Sequence, residues 1–186
     1  LLMSYEHLPN RPKGDFRIDE ADLFSFPEED LLIIENDWKV IMEKVRAGRA
    51  HELSEGDTLY LAACTKGTNA NDVRQQPFSD IPAKRRAYSL KSSYMTQILN
   101  KYIFGDTPCE RVIKGWRRLK HYSFEECVLR RLRLFYGCSH SLLRKKWHID
   151  STAKNVNELI LAKMLGIEGK ISHTEEFQKA GIIPKT

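Results

Sequence analysis

Between Pro27 and Gly48 the sequence carries every signal needed for one long helix. Pro27 fits a first helical position, and Glu28, Glu29 and Asp30 crowd the first turn, where the helix dipole favours negative charge. Leu31, Ile34, Trp38, Ile41 and Val45 then recur at helical spacing, and Gly48 supplies a C-terminal stop. The spacing predicts a helix whose apolar stripe is core and not a ligand site.

The segments around this helix read differently. Leu1 to Leu8 is apolar and strand-like, with no start signal before it, as expected of a chain entering mid-domain. Asn10 to Gly14 is a turn cluster, and Phe16, Ile18 and Leu23 flank acids in a second, half-exposed strand. After the helix, Glu52 to Asp57 forms a polar turn, Thr58 to Ala63 reads as a strand, and Thr65-Lys66-Gly67-Thr68-Asn69 is short-chained apart from its lysine. Such a loop brings backbone amides, hydroxyls and one cation close to a polar partner, although an ordinary turn after a strand has the same composition. Asp72 to Pro82, with Pro77 and Pro82, is expected to be irregular. Lys84 to Lys91 interleaves cations with Tyr88 and Ser89, side chains suited to phosphates and base edges. Ser92 then caps a predicted helix with Met95, Ile98, Leu99 and Tyr102 on one face, ending at Gly105.

Charge divides the chain near Gly105-Asp106-Thr107-Pro108, the predicted domain boundary. Residues 1–105 hold 14 Lys+Arg against 16 Asp+Glu, whereas residues 106–186 hold 16 against nine. Within the first part, Lys66 to Lys101 carries seven cations against Asp72 and Asp80. Local excess of this kind suits a polyanion, and a solvated basic surface without a partner is the plainer alternative. The second part is helix-rich. A helix from Thr107 places Val112, Ile113, Trp116 and Leu119 inward; Ser123-Phe-Glu-Glu126 is a capping box for a helix burying Phe124, Leu132 and Phe135. Ser141 to Trp147 and Ser151 to Leu165 admit either a helix-turn-helix or an amphipathic pair facing the core. Glu175 to Thr186 reads as a helix end or turn running into an apolar strand.

Four scattered cysteines and six dispersed histidines lack metal-ligand spacing, so neither a zinc site nor a disulfide framework is indicated. No apolar run approaches a membrane span, and the chain reads as intracellular, cytoplasmic and without a membrane partner. Nucleophile elbows, phosphate-binding P-loops and dinucleotide glycine sets are also missing.

Three runs carry a resemblance to a known family: NDWKVIMEKVRAGRA, HELSEGDTLYLAACTKGTNA and QQPFSDIPAKRRAYSLKSSYMTQILNKYIFGD. They resemble the MutH-like family, which comprises a mismatch-repair strand-nicking protein and restriction enzymes that cut at GATC. The likeness is greater to the restriction enzymes with two such domains in one chain. It implies a mixed α/β (α+β) fold, restriction-endonuclease-like, with a central sheet flanked by helices and a helix-rich second part. Residues 1–105 then correspond to the later, DNA-reading half of one domain, and residues 106–186 to a linker helix and the beginning of a second.

By the same resemblance the parent protein is a type II site-specific deoxyribonuclease that hydrolyses double-stranded DNA with Mg²⁺. The family holds its metal with an acidic residue followed by a strand bearing Glu-x-Lys. The first copy is expected upstream of Leu1. The second falls on Glu176 and Lys185, but Ile183 stands at the second carboxylate and Ala162 at an additional one, and neither can coordinate a hard cation. That site reads as vestigial, with no metal set of its own, and the second domain as a degenerate pseudo-nuclease that binds DNA. Lys66, Gly67 and Asn69, with Lys84, Arg85, Arg86, Tyr88, Ser89 and Lys91, are the implied DNA-binding residues, Lys66 reading a base and Tyr88 and Ser89 sensing an adjacent adenine. Palindromic DNA admits a homodimer. A non-enzymatic DNA-binding regulator using the basic helices of the second part is the alternative.

Overall fold

The computed structural model describes residues 2–6, 8–67, 69, 71–105, 109–150, 152 and 154–184. Helix α1 spans Glu28–Arg46, entered through Pro27 and left through Gly48 at φ +70°, where a Cβ would stand 2.6 Å from the Phe78 carbonyl oxygen. Its buried face is Asp30, Ile33, Asp37 and Ile41. Leu31 and Trp38, two members of the expected stripe, are 40% and 42% exposed. The helix is turned because two aspartates, seven residues apart, are used inside the protein.

The strands form three antiparallel ribbons: β1 (Leu2–Tyr5) with β2 (Ile18–Asp22), β3 (Leu61–Thr65) with β6 (Arg86–Leu90), and β4 (Val73–Gln76) with β5 (Ser79–Lys84). The fold is therefore mixed α and β, but among the described residues no larger central sheet joins the ribbons. Side chains explain why β3 takes no further neighbour. Lys91 N–H donates to the Tyr60 carbonyl and Lys66 N–H to that of Arg85, both 2.9 Å, so the backbone groups of Leu61, Ala63 and Thr65 face away from β6. On that outer edge the Leu61 amide donates to Asp37, 2.9 Å, and the Ala63 carbonyl accepts from the Arg86 guanidinium, 2.5 Å. An edge occupied in this way cannot template another strand.

Asp37 also explains why β3 begins three residues later than the sequence suggests. Its carboxylate accepts the amides of Leu59, Tyr60 and Leu61 at 2.6–2.9 Å, which bends the approach to the strand. The stretch expected to be irregular, Asp72 to Pro82, instead contains the β4–β5 hairpin. Gln76 secures it: its amide group donates to the Ile81 carbonyl, 2.5 Å, and accepts from Ala50 N–H, 2.9 Å. A register irregularity between Arg74 and Gln76 accommodates the strand bearing Pro82.

Helix α2 spans Ser92–Tyr102 with Lys91 at the cap position, and buries Tyr94 and Ile98. In the second part, a 3-10 turn at Trp116–Lys120 replaces most of the helix expected from Thr107; residues 106–108 lie outside the described chain. Helix α3 (Phe124–Arg133) opens with the predicted capping box between Ser123 and Glu126. Helix α4 (His140–Lys146) follows, then α5 (Val156–Leu165) and α6 (Glu175–Ala180). Helix α5 starts at Val156, and Ser151 lies outside the described residues; Ile160, Ala162 and Leu165 are buried, so its apolar face belongs to the core and not to a groove reader. No strand follows α6 among the described residues.

Two apolar clusters meet where α6 packs on α1 and α2. One gathers Tyr60, Tyr94, Ile98, Ile33 and Ala180; the other Val112, Ile113, Phe124, Leu165, Ile167 and Ile171. Between them Lys179, 1% exposed, places Nζ 2.5 Å from Asp30 Oδ2 and 2.7 Å from Glu175 Oε1. The Tyr94 hydroxyl donates to the same Asp30 oxygen at 3.1 Å. Beside this group Arg111 reaches Glu29 at 2.5 Å and Glu175 at 3.4 Å, while Glu176 accepts the amides of Val112 and Ile113 at 2.9 and 3.0 Å.

Removing one member of a buried pair strands the other charge, so Lys179→Met is expected to lower stability by about 3–5 kcal/mol. Urea unfolding with one probe in each part checks this; a loss under about 1 kcal/mol, or two separated transitions, would contradict it. A pH dependence follows from Glu29 and Glu175. Burial raises both carboxyls, but for Glu29 the bonds to its own backbone and Arg111, and for Glu175 those to Lys179, Arg111 and Lys101, outweigh it and hold them below the ordinary 4.5. A depressed folded pKa gives stability that is complete above the unfolded value and lost as pH falls through the folded one. The urea midpoint should therefore drop on acidification below about 4.5, and less steeply in Arg111→Gln.

Candidate nucleic-acid interface

The loop after β3 returns to the end of β5, so residues far apart in sequence share one shallow groove. Thr65, Gly67, Asn69, Asp72, Lys84 and Arg85 line it. Lys66 is pinned by its backbone, and the Arg85 guanidinium lies 3.5 Å from Asp72 while Arg85 N–H donates to the Asp72 carbonyl at 3.3 Å. Asn69 turns the loop by accepting Asn71 N–H at 2.9 Å. Gly67 is required by close approach: a Cβ there would stand 2.9 Å from that of Asp72. Lys66 and Lys84 are exposed, and no described carboxylate lies within ion-pair distance of either.

Strand alternation sorts the remaining candidates. Ala63 pairs with Tyr88 and Thr65 with Arg86, so Arg86, Tyr88 and Leu90 share the face toward α1, and Ser89 points the other way. Tyr88 is half exposed, with its hydroxyl 3.1 Å from the Met42 sulfur. Ser89 bonds to the neighbouring Leu90 carbonyl at 3.3 Å. Tyr88 and Ser89 thus cannot approach one base from the same side of the ribbon.

Arg86 and Lys91 are braces. The Arg86 guanidinium holds the carbonyls of Ala63 and Leu53, and the Lys91 ammonium holds that of Thr58. Burial lowers the Lys91 pKa, against the opposing pull of Asp37. Period-two alternation shows that Arg86 shares a face with Tyr88, but not that its guanidinium is held by the Ala63 and Leu53 carbonyls. Nothing local in the sequence shows that Lys91 is held by a carbonyl 33 residues away.

The second candidate site does not fit a metal. Glu176 is buried with both carboxylate oxygens on backbone amides, Ala162 is buried, and Ile183 is 80% exposed. Lys185 lies outside the described residues. Among the described residues no cluster of three or more His, Cys, Asp or Glu is placed to hold an ion. Mg²⁺ therefore enters no step at these residues. A cavity of about 400 Å³ runs along the seam between α1 and the start of α3. Three of its charged side chains are already engaged: Asp37 on amides, Asp57 with Lys44 at 2.8 Å, and Lys91 on Thr58.

No family model matches the chain. It is 39% identical over 193 aligned positions to the type II restriction enzyme Sau3AI of Staphylococcus aureus, an alignment covering all of this chain and 40% of that protein. The DNA mismatch repair protein MutH of Shewanella baltica is 30% identical over 97 positions, covering 50% of this chain and 43% of MutH. The chain thus spans less than half the length of these relatives. One relative is a restriction enzyme and the other a DNA mismatch repair protein. The chain belongs to the MutH-like family, which includes the Sau3AI-type restriction enzyme.

The braces and the groove make opposite predictions. Arg86→Ala removes charged hydrogen bonds inside the ribbon and should cost about 1.5–3 kcal/mol of stability. Lys84→Gln with Arg85→Gln should leave stability within about 0.5 kcal/mol and flatten the slope of log K against log salt for duplex binding by roughly 0.9 for every phosphate no longer neutralised. Thermal melts and anisotropy titrations separate them; a slope that follows Arg86 and ignores Lys84 and Arg85 would reverse the assignment.

Proposed function

We propose that this chain is part of a type II restriction endonuclease that recognises and cleaves double-stranded DNA at GATC, and that it carries recognition elements without a complete catalytic site. The observation that supports this most is the groove between the loop after β3 and the end of β5. Lys84 and Arg85 line it and the Lys66 backbone is hydrogen-bonded to Arg85 beside it, while the neighbouring cations Arg86 and Lys91 are consumed by the scaffold. A lysine beside close-approaching backbone suits the O6 and N7 acceptors of guanine in the major groove, and flanking cations suit phosphates.

In this reading residues 1–105 are the DNA-reading half of a catalytic domain, and residues 106–186 are a linker and the beginning of a degenerate second one. Tyr88 senses the base beside the guanine from the α1 side of the ribbon. The Mg²⁺ chemistry belongs to carboxylates of the parent protein outside this chain, whose activity would be exercised in the bacterial cytoplasm, on a palindrome that admits a homodimer. No described helix is long and apolar enough to cross a membrane.

The test is Lys66→Ala on GATC and scrambled duplexes at one salt concentration. Loss of a direct base contact should reduce the preference for GATC by about 1–3 kcal/mol, or roughly 5- to 150-fold, with little change on the scrambled duplex. An equal fall on both would make Lys66 a phosphate contact and overturn its base-reading role.

A further inference from the structure

The 3-10 turn Trp116–Lys120 and helix α3 enclose two adjoining cavities that share Arg118, Cys127 and Arg131 as walls. Lys114 lines one and Arg130 the other, and no Asp or Glu lines either. The Arg130 guanidinium lies 3.8 Å above the Tyr122 ring, which holds its plane against the wall. Arg131 is oriented by its Nε, which donates to the Met164 carbonyl at 3.1 Å, and Lys114 donates to the Gly166 carbonyl at 2.7 Å. Glu110 lies 3.9 Å from Lys114, but among the described residues no carboxylate lies within ion-pair distance of Arg118, Arg130 or Arg131, and neither Arg118 nor Arg130 uses its guanidinium in a hydrogen bond. The half-buried Cys127 thiol marks the floor: its pKa is raised, chiefly by burial, with Arg118 and Arg130 opposing the rise and the Glu126 charge adding to it.

These guanidiniums are exposed, and like charges gathered on a concave surface raise the local positive potential and attract a polyanion unless carboxylates offset them. Here they converge on a concave surface without one, and α3 continues into a stretch, residues 127–149, holding six Lys+Arg and no Asp or Glu. We propose that this cleft is a phosphate-binding site for the backbone of duplex DNA, separate from the groove around Lys66. It rests on the DNA-binding reading above and adds to it a second, sequence-independent contact contributed by residues 114–131. The planar guanidiniums of Arg118 and Arg130 suit bidentate contact with phosphate oxygens. A DNA backbone accounts for the acid-free run beyond the cleft, which a free anion of cleft size would leave unused.

The experiment is an anisotropy titration of the full chain against GATC and scrambled duplexes over a range of salt, comparing unsubstituted protein with Arg118→Gln/Arg130→Gln. Neither guanidinium holds the fold by a hydrogen bond, and a thermal melt checks that the variant is folded. Two phosphates left without their guanidiniums should flatten the slope of log K against log salt by about 1.8 on both duplexes alike and leave the GATC preference intact. An unchanged slope, in a chain that still prefers GATC, overturns the cleft and leaves the proposed function standing. Failure of the unsubstituted chain to bind either duplex removes both. Tripolyphosphate is the arm for a free anion: binding abolished by the double substitution, with duplex binding untouched, would make the cleft a free-polyphosphate site and overturn DNA as its occupant.

Discussion

A lysine ammonium almost without solvent exposure can be held only where its charge is matched, and the packing of this chain depends on how Lys179 is matched. Asp30 comes from α1 and Glu175 from α6 itself, with the Tyr60 and Tyr94 rings under 6 Å from the nitrogen. The stem of the lysine fills space between two apolar clusters while its head joins carboxylates 149 and four residues away. Coulomb attraction in such surroundings is large and the desolvation cost is of similar size, so the gain is in specificity of docking more than in net energy. Helix α6 has six residues and would have little helical stability alone. Its position is fixed by Lys179, by Glu176 on two backbone amides, and by Ser93, whose hydroxyl donates to the Lys179 carbonyl at 2.8 Å.

The same use of charged side chains as internal fasteners shapes the β3–β6 ribbon. Asp37 gathers three amides ahead of β3 and Arg86 closes the outer edge, so β3 and β6 are rigid at the point where the Lys66 loop departs. A base-reading side chain needs such a support, because loose positioning removes the directional part of a hydrogen bond. Charges that serve the scaffold are unavailable to a ligand, which is why a count of cations along Lys84 to Lys91 overstates the interface.

Much of the local structure was legible. Pro27 and the acids after it place α1, Ser123 and Glu126 place α3, and the composition of Thr65 to Asn69 marks a loop of close backbone approach. What could not be read is tertiary. A stripe of Leu31, Ile34, Trp38, Ile41 and Val45 is a sound apolar face, but partners 22 to 149 residues away draw Asp37 and Asp30 inward and turn Leu31 and Trp38 to solvent. Two prolines made Asp72 to Pro82 look irregular, and the hairpin forms because the Gln76 side chain bridges to Ala50 and Ile81, contacts no window of sequence contains. At the candidate site, Gly67, Asn69, Lys84 and Arg85 are brought together with the Lys66 backbone bonded to Arg85, while Arg86 and Lys91 are withdrawn by carbonyls at Leu53 and Thr58. The resemblance to the MutH-like family is carried by long runs, not by any catalytic motif, and identity along the whole of this chain to 40% of a restriction enzyme agrees with that.

Under the proposed function the cations of this chain divide into fasteners and readers, with Lys66 among the readers. A crystal structure of the chain with a GATC duplex tests that most directly. The Lys66 ammonium should lie within hydrogen-bond distance of a guanine O6 or N7 in the major groove, with Lys84 and Arg85 on adjacent phosphates and Arg86 and Lys91 still on their carbonyls. A complex in which Lys66 contacts only phosphate, or in which the loop after β3 faces away from the DNA, would contradict it.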